Sequence, residues 1–187
     1  GDFAFVAGSD LKVFDISDPT GPIKVAEIDE YGASSGIHLK EDLAFITWHY
    51  EGLAVVDVSD PHAPAIIATA PTAGNFPDDL FVDGDVAYVA DSWDGVQVFD
   101  VSDPTAPVII ASIPMPDHSN TVTVEDGLAY AGSGHGNQGW LKILDVSDPS
   151  APRQVGQLDT PGEAVGVALA PGRAYVADGP SGLRVID

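Results

Sequence analysis

Asp100-Val-Ser-Asp-Pro104 decides the fold, because the chain writes it four times with only Ile and Val exchanged. Its other copies are Asp15–Pro19, Asp57–Pro61 and Asp145–Pro149, and Ile186-Asp187 begins a fifth. The first Asp of successive copies is displaced by 42, 43, 45 and 42 residues. A period this regular marks an array of one supersecondary unit, each copy burying its apolar face against the next.

Within one period lie four short apolar runs. The third unit reads Asp78–Asp83, Val86–Ala90, Val96–Val101 and Val108–Ile113. Runs of five or six residues rich in Val, Ile and aromatics, bounded by Gly, Asp or Pro, are punctuated as strands. The first gap is two residues long (Gly84-Asp85, with Glu41-Asp42, Asp126-Gly127 and Pro171-Gly172 as counterparts), the length of a tight hairpin. Gly precedes the third run at Gly52, Gly95, Gly139 and Gly182. The third gap is Ser-Asp-Pro-x-x-Pro, whose prolines remove ladder donors and stop the strands from merging. No window carries a sustained 3.6-residue apolar stripe, so almost no helix is expected.

Four antiparallel strands per repeat of about 40–45 residues is the arithmetic of a β-propeller blade. The expected fold is therefore all-β, a β-propeller segment of four-stranded antiparallel blades, preferred over a solenoid, whose repeats are usually shorter. The expected divisions are a partial blade 1–30, blades 31–72, 73–115 and 116–160, and a partial blade 161–187 within one segment. The wording of the repeat supports this. Ala174–Asp187 (AYVADGPSGLRVID), Ala87–Pro104 (AYVADSWDGVQVFDVSDP) and Leu53–Pro61 (LAVVDVSDP) closely resemble the LVIVD-repeat family of β-propellers. Departures are local: Trp48-His49 and Gly132-Ser133 stand where other copies have Ala-Asp. The resemblance implies a secreted or cell-surface prokaryotic protein, and it implies no particular chemistry. Counted by position, the first and last units have three strands each and the others four, which reads as part of a longer propeller. Further blades or a second chain are then expected to complete the ring.

Charge narrows the partners. Twenty-nine acids face seven bases, a net charge of −22. Nine acids belong to the repeated motif and 20 lie elsewhere, with 23 Asp against 6 Glu. A field of this sign repels phosphate backbones, so nucleic acid and anionic membranes are not expected partners. No run reaches the length of a membrane span, and the absence of cysteine excludes disulfides. The acidity fits either a saline extracellular setting or the preference of strand-end turns for Asp.

Blade geometry sorts the loops into two faces. The hairpins and Ser-Asp-Pro corners on one face are nearly uniform, which suits structure. The opposite face varies and gathers Tyr31, Ser34, Ser35, Trp48, His49, Tyr50, Glu51, Asn75, Phe76, Pro77, Asp78, Asp79, Asp91, Ser92, Trp93, Asp94, Asp117, His118, Ser119, Asn120, Ser133, His135, Asn137, Gln138 and Trp140. Spared aromatics among adaptable polar groups are what interfaces and ligand mouths use. The expected interaction face is Trp48, His49, Tyr50, Phe76, Trp93, His118, His135, Asn137 and Trp140, engaging a protein or a small polar ligand without catalysis. Against each ring stands the plainer reading that it covers a neighbouring blade.

Three sharper chemistries are set beside this. Asp78, Asp79, Asp91 and His118, with Glu163 and Asp178, would hold calcium or another divalent cation if they converged at the axis. No compact metal spacing is present, and no cofactor is otherwise expected. The Asp-x-Ser-Asp-Pro corners would bind calcium, or their side chains would simply cap the turn. A hydrolase would draw on His118-Ser119 or Ser133-Gly134-His135, although adjacency in sequence is not a triad. A metal-dependent binder or hydrolase at the axial mouth is thus the alternative function, and a spacer between other domains a third. His38, where other repeats have Phe81, Thr123 and Ala168, reads as packing, and His62 as a solvated corner residue.

Overall fold

The computed structural model describes residues 2–29, 33–74 and 76–187. Tyr31 and Asn75 lie outside them. The described residues form 18 strands in five antiparallel sheets. The first sheet is β1 (Phe3–Ala7), β2 (Leu11–Asp15) and β3 (Ile23–Ile28). The second is β4 (Ser34–Lys40), β5 (Leu43–Trp48), β6 (Gly52–Asp57) and β7 (Ala65–Ala70). The third is β8 (Asp79–Asp83), β9 (Val86–Ala90), β10 (Val96–Asp100) and β11 (Val108–Ile113). The fourth is β12 (Ser119–Glu125), β13 (Leu128–His135), β14 (Gln138–Asp145) and β15 (Arg153–Thr160). The fifth is β16 (Gly166–Ala170), β17 (Arg173–Ala177) and β18 (Leu183–Ile186). Every sheet is a meander in sequence order. A single 3-10 turn, Gly179–Ser181, is the only helical element among the described residues.

The middle strands are apolar on both faces because each inner sheet is sandwiched between two others. In β5, Ala44, Ile46 and Trp48 pack with Leu11, Ile28, Ala54 and Val56. Phe45 points the other way, into Leu53, Val55, Leu80, Val82, Ala87, Val89 and Phe99. The next interface holds Tyr88, Val96, Val98, Val122, Ala131 and Leu144. Period-2 alternation thus distributes one strand between two cores. The first strands of successive sheets, β4, β8, β12 and β16, also pack in series. They approach so closely that a Cβ on Gly36 would lie 2.9 Å from the Cα of Asp79.

The uniform face is closed by its own side chains. Asp15, Asp57, Asp100 and Asp145 each accept the N–H two residues on, at 2.8, 2.9, 2.9 and 3.0 Å. Asp18, Asp60, Asp103 and Asp148 do the same one step later in the corner. These are Asx turns, in which one oxygen of each carboxylate caps the corner's own backbone. The residue after each first Asp then donates its N–H to the neighbouring hairpin: Val58 to Asp42 O and Val101 to Asp85 O, both at 2.8 Å. His62 is exposed at its corner, edge-on to Phe3. His38 is half-buried with its ring against Phe81, and burial lowers its pKa.

Each of the first four sheets carries an irregularity at the same place, where its outermost strand joins, and the second and fourth carry another between their first two strands. The register slips at Val13/Phe14, Val55/Val56, Val98/Phe99 and Ile143/Leu144, just before the corner Asp. Val25, Ile67, Ile110 and Val155 are passed over on the outer strand as a result. A bulge repeated in this way adds local twist to the outer edge.

Gly132–Gly139, rich in glycine, is not a loop but an extension of β13 and β14. Ser133 pairs with Trp140, Gly134 with Gly139 and His135 with Gln138, around the turn Gly136-Asn137. The added length of that period therefore goes into a longer hairpin arm.

Candidate functional site

The variable face is built from the second-to-third strand connections and the segments entering each sheet. The connection Asp91–Gly95 is wound tightly: the Asp91 N–H donates to Gly95 O at 2.7 Å, and Ser92 takes φ 44°. Four non-glycine residues among those described have positive φ. Glu41 and Asp126 sit in hairpin turns that demand it. Tyr50 (φ 71°) and Ser92 are the other two, and both lie on this face. A bulky residue held there is strained, and strain of this kind accumulates where a side chain is being aimed.

The four residues expected to share a metal are given separate duties. The Asp79 Oδ2 atom accepts the Thr121 hydroxyl at 2.7 Å and the Val122 N–H at 3.2 Å, tying the third sheet to the fourth. Asp91 is wholly buried and accepts the Gly74 N–H at 2.6 Å, anchoring the segment that carries Phe76. Asp178 repeats this two sheets later on the Gly162 N–H at 3.1 Å. Glu163 accepts the Gly136 N–H. His118 is turned toward Trp93 and His135. No group of three or more His, Asp or Glu among the described residues is disposed to hold a metal. Asp79 is held by backbone and hydroxyl donors of the fold, while Asp91 gives one oxygen to the Gly74 N–H and keeps Oδ1 buried without a hydrogen-bond partner among the described residues.

Asp78 is the exception. Its N–H donates to Ala90 O at 2.8 Å, but no hydrogen bond reaches its carboxylate among the described residues. Desolvation pushes its pKa up, opposed by nearby His49 and His118 and reinforced by Asp91 and Asp79. Asp79 and Asp91 are also pushed up, chiefly by burial.

The aromatic rings of this face fall into two groups, each with one histidine that acts electrostatically on Asp78. In one, His49 and Tyr50 both stand edge-on to Phe76, with centroids 5.6 and 5.1 Å away, and Ser35 Oγ lies 3.1 Å from His49 Nε2. In the other, Trp93 meets His118 at 3.9 Å and His118 meets His135 at 5.2 Å. Tyr50 and Trp93 are 67% and 66% exposed, and Phe76 is 44% exposed. These rings present area to solvent rather than to a neighbouring sheet. Asn137 is exposed at the tip of the extended hairpin, and Trp140 is half-buried opposite Ser133.

Trp48 must be removed from the expected anchors. It is 0% exposed and belongs to the core between the first two sheets. It occupies the strand position that Asp91 holds in the next repeat, pairing with Gly52 as Asp91 bonds to Gly95. An indole there fills space where the third sheet latches a loop.

A nucleophile and base do approach, but not at the expected adjacencies. Ser92 Oγ is 3.4 Å from His118 Nδ1. The Ser119 and Ser133 hydroxyls are buried without hydrogen-bond partners among the described residues. No carboxylate hydrogen-bonds to the His118 ring among the described residues, so the third member of a triad is not in place. A cleft of about 200 Å³ lies elsewhere. It opens between the fourth and fifth sheets near the hairpin face, lined by Tyr130, Leu141, Ile143, Leu169 and Ile186.

Five stacked antiparallel meanders, joined through their inner strands and separated by double-sided apolar layers, define a β-propeller architecture. Solved structures agree. A candidate 6-phosphogluconolactonase from Bacteroides fragilis NCTC 9343 superposes with TM-score 0.82 at 15% identity, over 99% of this chain and 63% of that one. The computationally designed Ika8 protein gives 0.77 at 9%, over 99% and 55%. The designed Ika4 protein gives 0.68 at 8%, over 84% and 92%. The chain therefore spans a little over half the length of the Ika8 protein, and identities this low speak to the fold alone. No curated protein sequence matches. The LVIVD repeat matches residues 1–29, 31–72, 77–113, 118–160 and 161–187, and the chain belongs to the LVIVD-repeat family.

Proposed function

We propose that this chain is a non-catalytic interaction scaffold, displayed outside the cell or on its surface, which engages its partner through the variable face. The observation that carries this is the exposure of Tyr50, Phe76 and Trp93 on one face, around a carboxylate the fold does not use. On the opposite face the corner carboxylates cap their own backbone in Asx turns. Rigid aromatic anchors beside adaptable polar groups concentrate binding energy in a few contacts.

A hydrolase is favoured by one contact only, Ser92 with His118, and it lacks the orienting acid. The test is a comparison of Tyr50→Ala/Trp93→Ala with Thr105→Ala, a substitution on the opposite face. Cross-linking on cells of the source organism should yield adducts with the parent and Thr105→Ala proteins. These should be lost in the aromatic double variant at unchanged circular dichroism. Adducts that survive the loss of both rings would remove the face from the function. Ester hydrolysis abolished by Ser92→Ala would replace the scaffold with an enzyme.

A further inference from the structure

The chemistry of this face specifies what it takes. The segments 48–52, 71–79, 90–95, 113–120 and 133–139 contain six carboxylates, three histidines and no Lys or Arg. Six of the seven positive side chains have polar contacts of their own, and only the Lys142 ammonium reaches one of these segments, at a backbone carbonyl. Lys12 pairs with Asp10, Lys24 with Glu27, Lys40 with Asp85, Arg173 with Asp187 and Arg184 with Asp178, while Lys142 donates to Pro114 O.

Asp78 therefore stands half-buried with no Lys or Arg of its own chain paired to it among the described residues. It lies within electrostatic reach of both His49, of the Tyr50–Phe76 group, and His118, of the Trp93 group. The chain path agrees: Asp78 is two residues beyond Phe76, and its N–H bonds to Ala90, three residues before Trp93. A carboxylate near exposed rings is the arrangement that holds an ammonium or guanidinium group, since the ring faces attract a cation and the carboxylate pairs with it. Tyr50 and Trp93 stand clear of the surface rather than lining a cavity, which suits a chain laid across the face more than an engulfed small molecule.

We propose that the variable face docks a basic segment of a partner protein, with one Lys or Arg side chain paired to Asp78 between the rings of Phe76 and Trp93. This rests on the interaction-scaffold function and names the chemistry of its partner. The net charge of −22 draws such a segment in, and Asp78 with its rings fixes where it seats.

The difficulty for any test is that a basic peptide will cling diffusely to so acidic a protein. Asp78→Asn resolves this, because it removes one carboxylate of 29 and leaves the general field almost unchanged. The probes are three capped nine-residue peptides of one Gly/Ser/Leu framework, bearing two Arg, two citrulline or two Glu residues. Binding is followed by fluorescence anisotropy in about 0.15 M salt, where charges beyond roughly 8 Å are largely screened.

The Arg peptide should bind the parent protein, and its affinity should fall about tenfold in Asp78→Asn and several-fold in Trp93→Ala. Asp94→Asn, a change at an exposed carboxylate on the same face, serves as the field control and should move affinity less than about twofold. Equal losses in Asp78→Asn and Asp94→Asn would mean diffuse attraction and overturn the proposal. Citrulline- or Glu-peptide binding that is lost in Trp93→Ala would overturn the cationic partner while keeping the scaffold. Indifference of every peptide to Trp93 and Asp78 would overturn both.

Discussion

Trp48 and Trp93 make a contrast that the fold should obey. They lie at or just past the end of the second strand in consecutive repeats, yet one is 0% and the other 66% exposed. Trp48→Ala removes a fully buried indole from a layer shared with Leu11, Ile46, Ala54 and Val56. Large-to-small changes of this kind cost about 3–5 kcal/mol, the spread reflecting how far the surroundings collapse. That is a large part of the roughly 5–15 kcal/mol of stability a native domain has. With a urea dependence of about 2 kcal/mol per molar, the midpoint should fall by about 1.5–2.5 M. Trp93→Ala gives up one edge-on contact with His118, a matter of about 1 kcal/mol, so its midpoint should move by roughly 0.5 M or less. Unfolding is best followed by far-ultraviolet circular dichroism, since each substitution alters the indole fluorescence itself. Equal shifts in the two variants, or a Trp48→Ala midpoint close to that of the parent protein, would refute this packing assignment.

Two further outcomes are expected. Gly95→Ala and Gly52→Ala should both destabilise severely, because φ is 78° and 86° and the new Cβ would meet Ile113 O and Ala70 O respectively. Gly84→Ala, with φ 54° and open space around it, should cost only about 1 kcal/mol by the same denaturation measurement. The pH profile should have two limbs of opposite sign. Asp78, Asp79 and Asp91 have raised folded-state pKa values, so their burial cost is present at neutral pH and is relieved as pH falls through those values. Asp15, Asp57, Asp100 and Asp145 are lowered by hydrogen bonds from Ser17, Ser59, Ser102 and Ser147. Their contribution is present above the ordinary carboxylate range and is lost as pH falls through the lowered values. The melting temperature should therefore rise modestly as pH falls from neutrality through the raised values, and fall again once pH passes below the ordinary carboxylate range through the lowered ones. A monotonic decline from neutrality would contradict the burial of those three acids.

The sheets are legible in the sequence because each rests on local signals. Gly84-Asp85 fixes a hairpin, Ser-Asp-Pro fixes a corner, and alternation between them leaves one strand each. What spacing does not show is how neighbouring sheets share residues. Asp79 reads as a free acid beside Asp78, and only the approach of β12 gives it Thr121 and Val122 as partners. Trp48 reads as an anchor because it lies among loop aromatics, and only the stacking of the first sheet on the second turns it inward. The Ser92–His118 contact spans 26 residues across a sheet boundary, out of reach of any adjacency rule. In the 128–145 arm, glycines suggest a loose loop, but Gly134 and Gly139 sit opposite each other where β-carbons would collide with the facing backbone.

The bulge just before each of the four corners has a bearing on how the protein meets others. An extended peptide added to an outer edge must keep step with it, bond for bond. Beside β7, β11 or β15 that step breaks at Ile67, Ile110 or Val155, after two or three residues of pairing at one end. A fifth strand gains too few ladder bonds to repay its ordering, so the rim resists side-by-side growth into fibrils or sheets. The loop end of the sheets has no such broken step to follow, and there Tyr50, Phe76 and Trp93 stand clear of the ladder.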